Sequence, residues 1–234
     1  MNNSKKTLTA LLPMKAHSAR VTSKNFRQIA GKPLFRWVLD TMANTKEIDR
    51  IIINTDARNI LAEHKLFDGD YNGKVLIRDR RPELCGDFVS MNLVLEDDID
   101  CVESDYYFMT HTTNPLLSNK TIIDMLDVFI KEKNMSAIDS LFSVNRHQTR
   151  FYTDKGEPIN HDPNALMRTQ DLAPYLEENS VGYFFTKDSF KKTNSRIGQS
   201  PYLYETPPLE SIDIDEMHDW YIAESLLMRL SSDE

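Results

Sequence analysis

Short apolar runs alternate along the chain with longer segments whose apolar residues return every three or four positions, and that alternation sets the expected elements. Leu8–Leu12 is a brief apolar run ending on Pro13 and reads as a buried strand. Pro33–Ala43 carries Leu34, Trp37, Val38 and Met42 at helical spacing, with Pro33 suited to a first helical turn. Arg50–Thr55, with Ile51, Ile52 and Ile53, predicts a second buried strand, followed by a helix over Asn59–His64. Lys74–Ile77 predicts a third strand, and a helix capped by Asp87 is expected to run to Glu96 with Val89, Leu93 and Val94 inward. Asp105–Thr110 predicts a central strand. A helix from Ser118 or Asn119 to Lys131 and a strand over Ala137–Val144 follow.

Beyond Val144 the texture changes. Gln148 to Pro174 is polar, with a turn signal at Lys155-Gly156-Glu157-Pro158. Val181–Thr186 and Ile212–Asp215 predict strands, and Glu216–Leu230 a closing amphipathic helix. Strands alternating with helices point to an α/β fold built on a doubly wound, mostly parallel, Rossmann-like sheet. The expectation is a single domain over 1–234, with 146–200 as an insertion for substrate binding and dimerisation.

Composition narrows the functional classes. A chain of 234 residues with 40% hydrophobic content and only 7 Gly is expected to pack one large core. A net charge of −8 argues against nucleic acid as the main partner, because no basic surplus exists to displace counterions. A local cationic pocket for a nucleotide remains compatible. Cys85 and Cys101 show neither metal-ligand spacing nor a disulfide framework, which suits a reducing cytoplasm. Met1 to Thr7 is polar, Leu8 to Met14 is too short for a signal peptide, and no window approaches a membrane span. A cytoplasmic location with no membrane partner is expected.

The chemistry gathers in five places. After the first strand, Pro13-Met14-Lys15-Ala16-His17-Ser18 and the residues to Asn25 bring Lys15, Arg20 and Lys24 into a small-residue loop. Its cations and free N–H groups suit a triphosphate, although the Walker pattern is absent; a solvated basic turn has the same composition. Asp213 and Asp215 fall on one face of an extended segment, where two carboxylates invite a cation such as Mg²⁺, or cap the following helix. His111-Thr112-Thr113-Asn114-Pro115 follows the central strand at the edge where open α/β sheets keep ligands, and also makes a good turn. Arg78, Arg80 and Arg81, then Ser90 and Asn92, offer phosphate and base contacts or merely a basic turn before a capped helix. Arg168-Thr169-Gln170-Asp171 suits a carboxylate- and hydroxyl-rich ligand, or a surface loop.

Taken in order, these segments resemble the acylneuraminate cytidylyltransferase family from Leu8 to Leu227. The family's P-A-R-x-G-S-x-x-x-x-x-K-N loop and G-K-P-L start correspond to Pro13–Ser18 with Lys24-Asn25, then Gly31-Lys32-Pro33-Leu34. Its Q-P-T-S-P-L corresponds to His111–Leu116, and its R-P-x-x-L-x-x-D to Arg81-Pro82-Glu83-Leu84 and Asp87 with one residue fewer. Its R-x-Q-D corresponds to Arg168–Asp171, and its D-I-D-x-x-x-D to Asp213–Asp219. The resemblance implies CTP-dependent transfer of CMP to an acidic sugar, with Mg²⁺ as cofactor and pyrophosphate as product.

By carry-over, Pro13, Met14, Lys15, Ser18, Arg20, Lys24, Asn25, Arg81, Ser90 and Asn92 would bind the nucleotide. Asp213 and Asp215 would hold the metal, and His111, Thr113, Asn114, Arg168 and Gln170 would face the acceptor. Lys15, Lys24 and Asp215 would carry the catalytic charge. In such proteins the central insertion commonly builds a homodimer and lends residues to the partner's site. Lys15 replaces the family's loop Arg, Ala16-His17 its Gly region, and His111 its acceptor-side Gln. Another nonulosonic acid, a phosphate or phosphonate acceptor, a different nucleotide, or a non-catalytic nucleotide-binding regulator therefore stays open. A glycosyltransferase would carry its D-x-D nearer mid-chain than Asp213.

Overall fold

A computed structural model of the chain describes residues 5–18 and 20–230. The ends of the expected 1–234 domain, including the first four residues of the polar start, lie outside the described residues. The strands are β1 (Leu8–Leu11), β2 (Gln28–Ile29), β3 (Lys32–Pro33), β4 (Arg50–Thr55), β5 (Val75–Asp79), β6 (Tyr106–Met109), β7 (Ser140–His147), β8 (Tyr175–Phe185) and β9 (Pro201–Glu205). The helices are α1 (Leu34–Asn44), α2 (Arg58–Glu63), α3 (Met91–Cys101), α4 (Asn119–Ser136), α5 (Lys187–Thr193) and α6 (Met217–Leu230). β2 and β3 form a small hairpin, and the other seven strands form one sheet in the order β5-β4-β1-β6-β8-β7-β9.

β5, β4, β1 and β6 run parallel, β8 is antiparallel to both neighbours, and β9 is parallel to β7. The α/β, mostly parallel reading is therefore correct. Strands with apolar residues on both faces, such as Ile51-Ile52-Ile53, are buried from both sides because crossover helices cover both faces. One face packs Val38, Leu39, Met42 and Phe129 against Ala10, Ile51 and Phe108. The other packs Leu95, Ile99 and Phe190 against Leu11, Ile52, Tyr107 and Tyr183. A third cluster joins Trp220, Ala223 and Leu227 of α6 to Val21, Ile29, Leu34 and Ile214. At about 1.5–3 kcal/mol per fully buried large apolar side chain, this cluster fastens the carboxyl-terminal segment beside the loop that follows β1. Shared burial, not chain proximity, brings them together.

Several expected boundaries differ. α3 begins at Met91 rather than Asp87, because Ser90 is the cap: its Oγ accepts from Asn92 N at 3.3 Å. β7 begins at Ser140, since Ala137 takes a left-handed conformation (φ 55°) that closes α4. Ile212–Asp215 is not a strand; it has no partner strand and is held by single contacts, among them Ile214 N to Thr113 O at 2.9 Å. The expected insertion over 146–200 proves in part sheet and core. β8 pairs with β6 and β7, and Val181, Tyr183, Phe184, Phe185 and Phe190 are buried. The stretch 148–174 leaves the sheet, carried on the ends of β7 and β8, where His147 pairs with Tyr175, and α5 follows β8 before the chain returns as β9. β9 and the β2–β3 hairpin were not foreseen.

Candidate active site

The carboxyl ends of β1, β4 and β6 lie side by side, and the chain leaving each one forms a wall of a cleft. Met14 continues β1 in an isolated bridge to Thr55. The loop then turns outward, with Ala16 N donating to Asp56 Oδ1 at 2.7 Å. A cavity of 130 Å³ is lined by Pro13, Met14, Lys15 and Ser18 of this loop together with Arg80, Met91, His111, Thr112 and Thr113. A second hollow of 160 Å³ shares Lys15 and Ser18 and adds Arg20, Val21 and Lys24. Together they form a cation-lined channel at the edge where open α/β sheets bind ligands. Larger depressions lie elsewhere, of 470 Å³ by Lys6 and Lys187 and of 510 Å³ by Arg146 and Glu205, but neither gathers the loop's cations.

The loop is braced internally. Ser23 adopts a left-handed conformation (φ 51°) before the short helical turn Lys24–Phe26. Asn25, expected to touch nucleotide, is a buried strut that also reaches the cavity wall. Its Nδ2 donates to Lys15 O at 2.8 Å, and its Oδ1 accepts from Thr112 Oγ1 at 2.6 Å.

The carboxylates of the 212–215 segment reach the same place from far along the chain. Lys24 Nζ donates to Ile214 O at 2.6 Å, and Arg20 Nη2 bonds Asp215 Oδ1 at 2.7 Å. Ile214 is fully buried, so Asp213 and Asp215, flanking it, share the other side of this extended piece. Burial raises Asp213 above the usual carboxylate range, opposed by a hydrogen bond from Thr113, and the nearby Asp215 raises it further. Asp213 Oδ1 is buried without a hydrogen-bond partner. An acceptor oxygen left bare beside a second carboxylate fits a hard cation. Among the described residues no three His, Cys, Asp or Glu side chains cluster closely enough to hold a metal by themselves; two carboxylates with ligand phosphate oxygens would not form such a group. Asp219 caps α6, accepting from Asp215 N at 3.0 Å and Glu216 N at 2.8 Å.

His111 stands half-buried at the end of β6. Burial, and then the positive charges of Arg196 and Lys24, push its imidazole down to about 4. It is therefore neutral at physiological pH, not a cation. Lys15 is held by the exposed carboxylate of Asp87.

Other expected contacts are placed differently. Arg81 opens a short helical turn and points away, its Nε on Asp97 at 3.0 Å, while Arg80 lines the cleft. Ser90 caps α3, and Asn92 Oδ1 accepts from Arg196 N at 3.4 Å; neither lines the cavity, although Met91 does. Asn114 is fully buried beneath it, its Nδ2 3.5 Å from Ile212 O. Arg168 and Gln170 are exposed on the 148–174 excursion. Arg168 is bound to Asp171 through Nε and Nη2 at 2.8 and 3.0 Å, and Gln170 O accepts from Gln148 at 2.7 Å. They lie outside their own chain's cleft because the protruding β7–β8 ends carry them away from the strand edge. Arg196 was missed: its guanidinium lies 4.2 Å from the Tyr183 ring centroid, and its charge reaches His111. Its segment shows no motif.

The sequence model of a family described as cytidylyltransferase matches residues 9–232. N-acylneuraminate cytidylyltransferase A of Danio rerio is 29% identical over 230 residues, covering 95% of this chain and 51% of that protein. The chain thus spans about half the length of the animal relatives it matches. Pseudaminic acid cytidylyltransferase of Campylobacter jejuni is 22% identical over 224 residues, covering 92% of this chain and 94% of that one. Among solved structures, a CMP:2-keto-3-deoxy-manno-octonic acid synthetase complexed with CTP shares the fold, with a TM-score of 0.66 and 14% identity over 95% of this chain and 99% of that one. The chain belongs to the cytidylyltransferase family.

Proposed function

We propose that this cytidylyltransferase-family chain transfers CMP from CTP to a hydroxyl of an acidic sugar of the nonulosonic type and releases pyrophosphate. The observation that carries the reading is the meeting of the loop after β1 with the 212–215 segment, where Lys24 Nζ bonds Ile214 O at 2.6 Å and Arg20 bonds Asp215. Relatives of similar length or similar sequence are named for sialic-type and pseudaminic acids, which supports an acidic sugar as acceptor.

In this reading Lys15, Lys24 and Arg20 face the triphosphate, and their charge offsets the charge that builds as the α-phosphorus–oxygen bond to the β-phosphate breaks. The acceptor hydroxyl oxygen forms the new bond to the same phosphorus, so positioning supplies much of the rate. Asp213 and Asp215 would hold Mg²⁺, whose bare-oxygen fit at Asp213 was noted above; bound there, the ion supplies neutralisation of phosphate charge. Neutral His111, with Thr113, borders the acceptor side and can donate or accept a hydrogen bond without adding charge.

The excursion 148–174 is proposed to pair two copies and to bring Arg168 and Gln170 to the partner's acceptor site. Its support is their position outside their own cleft, together with exposed apolar residues on the same excursion, including Leu166 at 90%. No helix among the described residues is long and apolar enough to cross a membrane.

The test is pyrophosphate release in Mg²⁺ from CTP, UTP, GTP and ATP against a panel of nonulosonic acids, sugar phosphates and phosphonates. Release with CTP and a nonulosonic acid is expected. Release only with another nucleotide, only with a phosphonate, or CTP binding without turnover would overturn the corresponding part.

A further inference from the structure

Beneath the nucleotide loop lies a buried polar chain that no step of the proposed transfer uses. Asn54, wholly buried near the end of β4, donates from Nδ2 to Asp98 Oδ1 at 2.8 Å. Its own Oδ1 accepts from Arg80 Nε at 2.9 Å. Asp98, on α3, has no exposure, and Arg78 donates to the same Asp98 oxygen. Burial lifts Asp98 to about 6, so at neutral pH it is ionised and can only accept.

That acceptor-only partner fixes the amide's direction. Were Asn54 flipped, its oxygen would face a carboxylate and its NH₂ group would face a guanidinium, leaving both contacts repulsive in a buried site. With the amide fixed, Arg80 Nη2 donates to two main-chain carbonyls, Asn54 O at 2.9 Å and Met14 O at 3.2 Å. Met14 N donates in turn to Asn54 O at 3.0 Å. Both polar ends of Met14 are thereby tied down: its N–H by strand β4, its carbonyl by Arg80. The next residue is Lys15, and Met14, Lys15 and Arg80 all line the cleft.

We infer that Asn54 is a positioning residue for nucleotide binding: its amide, oriented by Asp98, holds Arg80 across the Met14 carbonyl and so fixes the loop that presents Lys15. This rests on the CTP reading above and adds to it the question of what keeps that loop in place before ligand arrives. A pre-set loop spares the nucleotide the cost of ordering it on binding.

The test measures CTP affinity by calorimetry at pH 7.5 in Mg²⁺ with the full chain, alongside thermal melting, for wild type, Asn54→Leu and the swapped pair Asn54→Asp with Asp98→Asn. Leu branches at Cγ as Asn does but leaves Arg80 Nε without an acceptor, so CTP should bind about tenfold more weakly, the scale of one lost buried hydrogen bond to a charged group. Asp at position 54 still offers Arg80 an oxygen, and Asn at position 98 donates to it in place of the lost amide, so the swapped pair should stay within about threefold of wild-type affinity. Equal affinity for wild type and Asn54→Leu, with only the melting temperature moved, overturns the inference. So does a swapped-pair protein that folds but binds no better than Asn54→Leu. If Asn54→Leu does not fold, Asn54→Ser, whose hydroxyl is too short to reach Nε, takes its place in the same comparison. Failure of the wild type itself to bind CTP contradicts the proposed function instead.

Discussion

On the β5-β4-β1-β6 side of the sheet, parallel strands end together, and the polar residues beyond them are tied into one another. Lys15 O is held by Asn25, Met14 O by Arg80, and Ile214 O by Lys24. On the β8-β7-β9 side, strand direction reverses, and the chain between β7 and β8 leaves the body. Arg168 there is paired with its near neighbour Asp171, and Gln170 is exposed. Parallel topology gathers distant residues into a cleft within one chain, because every strand hands its loop to the same edge. A β-hairpin instead carries its tip outward. The proposed nucleotide site would therefore be complete in one copy, whereas the proposed acceptor contacts on the hairpin would need another surface to work on.

The sharpest way to break this comparison is Asp215→Ala. If the gathered half is the catalytic one, pyrophosphate release should fall by at least about a hundredfold, the scale of losing one preorganised charge contact. Stability should change by less than about 1 kcal/mol, because the side chain is 43% exposed and its ion pairs with Arg20 and Lys24 are correspondingly weak. Turnover near the wild-type rate would remove Asp215 from the site.

Next in size is Lys15→Met, which should weaken CTP binding by about tenfold while leaving acceptor KM unchanged. Its counterpart, Asp87→Asn, releases Lys15 from an exposed pair, so CTP should bind as tightly as in wild type or more tightly; weaker binding would show that Asp87 itself serves the ligand.

The other half is tested by Arg168→Ala with Gln170→Ala. That double variant should raise acceptor KM by about tenfold and leave CTP affinity within about twofold. Mixing it with an Asp215→Ala chain should restore activity if the two residues act on a partner's site, because one of the two sites in a mixed pair is then intact. No recovery on mixing, with pairing of the two chains shown by sedimentation, would contradict the crossed arrangement.

The smallest effect concerns pH. The folded His111 sits near 4, below its ordinary value of 6.5, so the unfolded chain binds the extra proton between these values. Its contribution is fully present above pH 6.5 and is lost as pH falls towards 4, by up to about 1.4 kcal/mol per unit. Compared with His111→Asn in urea titrations at pH 7.5 and 5, wild type should lose more stability on acidification; a parallel loss in both would contradict the neutral imidazole.

The fold was legible because burial on both faces writes continuous apolar strands such as Ile51–Ile53, and because helical spacing announces α1, α4 and α6. Pro201–Glu205 gave no such sign: at the sheet edge, facing solvent, it mixes Tyr and Leu with Glu. In the site, cations and carboxylates stood out as residue types, but their partners did not. Arg80 and Arg81 differ by one position, and only their partners separate them: Arg80 reaches Asn54 and the Met14 carbonyl, whereas Arg81 joins Arg78 on Asp97 of α3. Asn25 and Asn114 resembled ligand contacts because struts and binders use the same amide. The alternation in 212–215 predicts a strand, whereas its extended shape comes from buried Ile214 and its bonds to Thr113 and Lys24.

The most direct measurement is a crystal structure of the protein with CTP and Mn²⁺, the ion located by its anomalous signal. A shared site predicts the triphosphate along Lys15, Ser18 and Lys24, with the anomalous peak against Asp213 and Asp215. A nucleotide in that channel with its ion elsewhere, or a nucleotide bound in the hollow beside Arg146 and Glu205, would contradict it.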